Sequence, residues 1–283
     1  MSLTSFVPTP ELEFYRQTFS EHFKIERRED GVVTMRLHTR DGPYQLSVES
    51  HRAIGQALKV VASDPKNELM IFTGTGESFL AGIDPDGFAL EEADLEYWAY
   101  EYAYKDGRVN VSSLVNDFEI PTIGVLNGPG AHTEMVLMCD ITICSEDAII
   151  WDPHYAIGSV PGDGIHSCFI EILGVKRAAY ALLTSEVIDA KRALEYGMVN
   201  EVVSRDSLMD RAYEIADSIM KQKRVIRRLS SQIVRRPWKQ RVADDLDGGF
   251  GTQMFGHVAK KEFVHSRTRV DDVADSFGVD VNE

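Results

Sequence analysis

The sequence predicts an α/β fold. Short apolar runs alternate with helical patterns through the first two-thirds of the chain, and from Val175 the pattern turns mostly helical. Strands interleaved with helices give layers in which helices cover a sheet. At 283 residues, with 43% hydrophobic and 27% charged residues, the chain has the make-up of an ordinary globular protein able to bury a full core.

Residues 1–20 read as an irregular arm and a short helix. Phe23–Glu29 and Val32–His38 are strand-like runs joined by Arg28-Glu-Asp-Gly31, a hairpin signal. Ser47–Ala62 is helical, because Ile54, Ala57, Leu58 and Val61 recur on one face. His51 shares that inward face, where a packed core histidine is the commoner outcome. Leu69–Thr73 is a buried strand followed by a glycine turn, and Leu80–Asp84 begins a loop. Glu91–Phe118 reads as a long acidic, aromatic helix ended by Pro121, with Tyr97, Tyr100 and Tyr104 spaced for packing. Thr122–Leu126 is a strand closed by Asn127-Gly-Pro-Gly130. A short helix over His132–Met138 leads to the strand Ile141–Cys144. Helices are expected over Asp206–Val234 and from Pro237 to about Val264, then a polar tail from Ser266. The soft boundary falls near residue 205. No repeat of fixed period stands out beyond the strand–turn–helix unit.

A net charge of −15 argues against nucleic acid and against an anionic membrane surface. No apolar run approaches a membrane span, and Met1–Pro10 lacks a basic segment followed by an apolar one, so a cytoplasmic protein is expected. Cys139, Cys144 and Cys168 lie in apolar stretches without zinc-like spacing and read as buried thiols.

The stretch that carries chemistry is Trp151–His166, WDPHYAIGSVPGDGIH. His154 sits where the strand Ala148–Ile150 empties into a loop, and Asp163 where that loop enters a helix over Ile165–Leu173. A histidine that takes a proton and a carboxylate that orients it suffice to activate water. The plain alternatives are that Asp163 caps the helix and His154 is a solvated loop residue.

Five segments in register resemble the crotonase (enoyl-CoA hydratase/isomerase) superfamily: Thr73–Asp84 (TGTGESFLAGID), Pro121–Gly128 (PTIGVLNG), Glu134–Asp140 (EMVLMCD), Gly158–Gly164 (GSVPGDG) and Asp189–Asn200 (DAKRALEYGMVN). The resemblance covers roughly residues 22–255. It implies a spiral of strand–strand–helix turns over residues 1–205, N-terminal arm included. It further implies a C-terminal helical oligomerisation region with a polar tail over 206–283, assembled as a homotrimer or a dimer of trimers. It also implies an oxyanion hole made by the backbone amides of Ile83 and Ala131, each such donor worth on the order of 3 kcal/mol.

The departures from the family pattern narrow the expectation. Of the two hydratase glutamates, the first aligns with Glu134, which reads either as active-site wall or as a helix N-terminal carboxylate. At the second stands His154, and the small residue after Pro-Gly is Asp163. Asp86 replaces a lysine the family commonly turns toward phosphate, and no adenine-covering segment is recognisable after Lys261. This combination resembles the carbon–carbon hydrolases of β-diketones typified by 6-oxocamphor hydrolase, with His154, Asp163 and His132 as catalytic groups and His51, Glu134 and Gln253 as substrate contacts. Gln253 stands where that branch has a carboxylate. The reaction implied is a retro-Claisen hydrolysis of a small molecule, needing neither metal nor organic cofactor. His166 is expected on the helix surface. A divergent enoyl-CoA hydratase or isomerase is the alternative, and a non-catalytic scaffold has no need for His154 and Asp163 together.

Overall fold

A computed structural model of the chain describes residues 6–84, 87 and 97–260. Asp86, the segment 91–96 and the chain beyond Lys260 lie outside the described residues.

A six-stranded sheet forms the centre, in the order β1 (Phe23–Arg27), β2 (Val32–Leu37), β4 (Leu69–Thr73), β6 (Thr122–Leu126), β7 (Ile141–Ser145) and β10 (Glu201–Val203). The β1–β2 pair is the expected antiparallel hairpin, and the remaining pairs are parallel. All five residues of β4 and of β6 are buried, as strands covered on both faces require. Two short pairs stand apart: β3 (Gln45–Leu46) with β5 (Gly82–Ile83), and β8 (Ile149–Ile150) with β9 (Ile188–Asp189). The stretch read as loop at Leu80–Asp84 therefore contains a strand. So does the largely helical region after Val175, where β10 completes the main sheet.

Helix α1 (Leu12–Thr18) precedes the hairpin. Helix α2 (Val48–Ser63) starts at a reciprocal cap: the Ser47 hydroxyl accepts from the Ser50 amide (3.0 Å), and the Ser50 hydroxyl accepts from the Ser47 amide (2.8 Å). The long helix expected after residue 91 is, within the described residues, a π-helical stretch (Tyr97–Asp106) continuing into α3 (Gly107–Asn116). Helix α4 is only Glu134–Leu137. His132, expected inside it, instead takes a left-handed φ of 52°. Helix α5 (Ile165–Thr184) is broken at Gly174, one residue past the expected end. Helix α6 (Ala190–Glu195) is capped by Asp189.

The C-terminal helices are α7 (Leu208–Met220), α8 (Arg224–Val234) and α9 (Arg236–Lys260). Leu208, Ala212 and Ala216 of α7 pack on Leu69, Ile71, Ile123, Val125 and Ile143 of the sheet. Arg235, between α8 and α9, is fully buried. Its guanidinium binds both oxygens of Asp140 and donates to the carbonyls of Phe118 (2.6 Å) and Ile120 (3.1 Å). This joint fastens the last helix to the start of β6, and α9 then runs back across α3 and α5.

No described helix is long and apolar enough to cross a membrane. Cys139, Cys144 and Cys168 are buried free thiols, as expected.

Removing one member of the joint leaves the other as an uncompensated buried charge. Arg235→Met should therefore lower unfolding stability by about 3–5 kcal/mol in a denaturant titration. A loss below about 1 kcal/mol, the range of an exposed pair, would show that the joint does not hold the C-terminal helices.

Candidate active site

The loop after β8 begins Trp151-Asp-Pro-His154. Proline disfavours helical backbone in the residue before it, and in extended chain residues i and i+2 point the same way. Asp152 and His154 accordingly meet: His154 Nδ1 donates to Asp152 Oδ1 over 2.6 Å. The loop then turns on itself, with the Ile157 amide donating to the Pro153 carbonyl (3.0 Å), and returns at Asp163. Gly164, not Asp163, is the cap residue of α5, and no side chain caps that helix. The carboxylate of Asp163 is instead turned toward the histidines. Its Oδ2 lies 3.2 Å from His154 Nε2 and 3.7 Å from His132 Nδ1.

His132 approaches from the opposite side. Its Nδ1 donates to Glu134 Oε1 (3.0 Å), and its ring stands edge-on to His154 with centroids 6.1 Å apart. A non-glycine residue at positive φ is uncommon and collects at functional sites. With Nδ1 committed to Glu134, any bond from His132 to a ligand comes from Nε2.

The site thus holds Asp152, Glu134 and Asp163, each at most 9% exposed. Each leaves its second oxygen without a hydrogen-bond partner among the described residues. Charge follows from these neighbours. Burial disfavours a cation at His154, yet Asp163 and Asp152 together raise its pKa well above the usual value. Burial likewise opposes His132, and Glu134 and Asp163 outweigh it and lift the pKa to about 9. Burial would raise Asp163, but the His154 and His132 cations hold it well below the carboxylate range. Glu134 stays raised, because burial exceeds what His132 returns. His51 is pushed down to about 3 by burial, with His132 adding to the effect.

Around these groups lies a pocket of mainly apolar walls. Leu46 and Ile83 come from the β3–β5 pair, Trp98 and Tyr102 from the π-helical stretch, and Phe250 and Met254 from α9. His51 lines it from α2 with its ring 4.3 Å from that of Tyr102. Gln253 lines it from α9, 6% exposed. At another point of the wall His257 meets the Ser159 hydroxyl (3.1 Å) and stands edge-on to Trp98.

The two backbone segments expected to form an oxyanion hole are tied together by the Phe79 amide, which donates to the Pro129 carbonyl (2.9 Å), while the Gly130 amide ties the second segment to β8 through the Ile149 carbonyl (3.2 Å). A Cβ on Gly130 would sit 2.8 Å from the Leu80 nitrogen, so only glycine permits this approach. Ile83 lines the pocket, and Ala131 directly precedes His132, which also lines it. The same economy seats α9 over the loop. A Cβ on Gly162 would come within 2.2 Å of the Gly249 carbonyl oxygen.

Seven of the eight residues singled out in the sequence line the cavity here: His51, Ile83, His132, Glu134, His154, Asp163 and Gln253; the eighth, Ala131, is buried beside His132 in the chain. His166 does not lie on the surface. It is half-buried against Gly249 of α9. Asp152, Trp98, Tyr102, Phe250 and His257 were missed. Only Asp152 had a readable signal, the D-P-H triplet. The others arrive from separate elements by tertiary packing.

Known proteins place the chain in context. The enoyl-CoA hydratase/isomerase family model matches residues 27–269. A probable peroxisomal enoyl-CoA hydratase 1 of Arabidopsis thaliana is 29% identical over 208 residues, 72% of this chain and 76% of that protein. A crotonyl-CoA hydratase of Syntrophomonas wolfei is 29% identical over 209 residues, 73% and 78%. Among solved structures, a β-diketone hydrolase from the cyanobacterium Anabaena, bound to (S)-3-oxocyclohexyl acetic acid, superposes with a TM-score of 0.83 at 29% identity, covering 90% of this chain and all of that one.

The shifted histidines set a pH dependence of stability. Below the ordinary histidine value of 6.5, the unfolded chain takes up a proton that buried His51 refuses until about pH 3, so stability falls as pH drops. Above 6.5 the folded chain keeps the His132 proton until about pH 9, so its contribution is full below 6.5 and is lost as pH rises toward 9. Urea unfolding at about pH 5, 6.5 and 8.5 should give its highest midpoint near 6.5, and His132→Asn should flatten the alkaline side. A midpoint still climbing at pH 8.5 would contradict the assigned cation.

Proposed function

Because the chain belongs to the enoyl-CoA hydratase/isomerase family, the crotonase superfamily, we propose that it is a carbon–carbon hydrolase that cleaves a cyclic or bicyclic β-diketone by a retro-Claisen reaction. The observation that carries this reading is the His154–Asp163 pair at the pocket wall, with Nε2 and Oδ2 3.2 Å apart, where the hydratase pattern calls for a lone glutamate. The pair, in the form in which His154 keeps only its Nδ1 proton, accepts a proton from water as the water oxygen bonds to one ketone carbon. The tetrahedral adduct collapses, and the bond to the central carbon breaks. The electrons pass to the second ketone as an enolate, held by the Ile83 and Ala131 amides and by His132 Nε2. Return of the proton to the enolate carbon gives a keto acid. No base stronger than the pair is required, because the leaving carbanion is stabilised by its own ketone. His51 and Gln253 are the polar contacts that orient the ring, and Glu134 holds His132.

Apolar walls suit an alicyclic substrate. The Anabaena protein was solved with a keto acid, the product class such a cleavage gives. The similarity of the plant and bacterial hydratases favours a second reading, water addition to an enoyl-CoA. Against it stand His154 and, in the sequence, Asp86 at the usual phosphate-facing lysine. The deciding experiment is a parallel assay on a bicyclic 1,3-diketone and crotonyl-CoA. Turnover of the diketone alone is expected; turnover of crotonyl-CoA alone would replace this reading with the second.

Within the hydrolase reading, Asp163→Asn should cut diketone turnover by roughly 10³-fold with the fold intact, since an amide can neither receive nor pass on the proton at His154 Nε2. His154→Ala should be nearly as damaging and the double variant little worse, as for groups acting together. Near-normal turnover of Asp163→Asn would remove the pair from the mechanism.

We also propose that residues 206–283 serve oligomerisation. Helix α8 exposes Val225, Ile226, Leu229, Ile233 and Val234, each at least 49% accessible in the single chain, an apolar face that calls for cover. Light scattering should give a trimer or a hexamer; a stable monomer at about micromolar concentration would count against this assignment.

A further inference from the structure

We propose that Asp152 is the positioning residue of the site: it holds the His154 proton on Nδ1 and thereby leaves Nε2, at Asp163, as the nitrogen that exchanges protons with water. The catalytic consequence rests on the hydrolase reading above; the position of the proton does not.

Three features distinguish the two carboxylates on this imidazole. The Asp152 contact is the shorter, 2.6 Å against 3.2 Å. Asp152 is the more deeply buried, 2% exposed against 9% for Asp163. Asp163 also divides its Oδ2 between two imidazoles, lying 3.7 Å from His132 Nδ1, whereas Asp152 Oδ1 serves His154 alone among the contacts described here. A charge-assisted bond strengthens with short distance and desolvation, so the proton facing Asp152 is the one held more tightly. A carboxylate on the far nitrogen of a histidine base fixes its tautomer and stabilises its cation. That office falls to Asp152. Asp163 lies on the working side, where it passes or receives the Nε2 proton.

Covalent continuity favours this division. Asp152 and His154 flank Pro153, whose ring limits the backbone between them, so the contact is set locally. Asp163 reaches His154 only after the chain has turned through Ile157 and Val160. The other titratable groups on this side are His132, from the loop before α4, Glu134 behind it, His51 of α2 and His166 of α5. His154 opposes a charge on His132, His132 and Asp163 act on His51, and His166 interacts with Asp163 and Asp152. None of these four replaces Asp152 at Nδ1, where the contact is 2.6 Å.

The test is nitrogen-15 imidazole NMR of the full chain, read through a pH titration of His154 without substrate. The wild type should hold both ring protons through neutral pH. Once titrated, it should keep the remaining proton on Nδ1. Asp152→Asn should lower the His154 midpoint by at least about one pH unit, a tenfold loss of proton affinity. Asp163→Asn should also lower the midpoint but leave the neutral form protonated on Nδ1. It serves as a second variant if Asp152→Asn does not fold. A wild-type neutral form protonated on Nε2, or an unshifted midpoint in folded Asp152→Asn, would overturn the assignment. Activity enters separately: a wild type inert toward diketones fails the hydrolase reading while the NMR result still decides the role of Asp152.

Discussion

The buried pairing of Arg235 with Asp140 is the constraint on which the site depends. A fully buried guanidinium must find acceptors on every side, and here they are Asp140 and the carbonyls at the start of β6. Its position therefore fixes the start of α9 relative to the sheet. At about 1.5 Å per residue, Phe250 lies roughly 21 Å further along that helix. A small tilt at the joint would move Phe250, Gln253 and His257 away from the pocket they line. The close contact of Gly249 on Gly162 registers the far end. One ion pair and one glycine contact thus set the wall facing the histidines.

Within that frame the site is a problem of charge balance. Three buried carboxylates each lie against a histidine, and a buried charge is costly without such a partner. His154 serves Asp152 and Asp163, while His132 serves Glu134 and, at longer range, Asp163. His51 stays neutral because His132 is close and solvent is excluded. The roles are therefore set by neighbours as much as by residue type: in one pocket two imidazoles are raised above the usual histidine value and the third is pushed below it. The left-handed backbone at His132 belongs to the same arrangement, since the ring bonds to Glu134, the first residue of the helix that follows.

The fold was largely legible because its buried strands are short continuous apolar runs and α2 has a strict apolar stripe. Strands β9 and β10 were not legible. They are two and three residues long, and every residue of β10 is only partly buried, so no period marks them. The break from π-helix to α-helix at Gly107 follows from packing against Phe250, more than a hundred residues away. His154 and Asp163 were readable as a pair because glycine and proline bracket them. Asp152 was overlooked because a carboxylate in a loop is ordinarily solvated, and its burial comes from the surrounding packing. His166 was assigned to the surface because a helix start is usually exposed; α9 covers it.

The positions of the carboxylates bear on which reaction the pocket suits. Adding water across an enoyl double bond, as the hydratase pattern does it, takes two carboxylates that both face the substrate, one to take a proton from water and one to give a proton to carbon. In this site each carboxylate is bonded to an imidazole. Glu134 accepts from His132 with one oxygen and has its pKa raised by burial, while Asp152 lies behind His154. What faces the pocket is imidazole: His154 beside Asp163 at one place and His132 at another. An imidazole backed by carboxylate carries positive charge at neutral pH, because the carboxylate raises its pKa above the usual histidine value. That is useful where an anion must be both generated and held, as when an enolate leaves a tetrahedral adduct. It is of less use where an oriented pair of carboxylates must act on the two faces of one water molecule. The replacement of carboxylate by carboxylate-backed histidine is therefore a change in the kind of charge presented to the substrate, and it favours chemistry that passes through an expelled enolate.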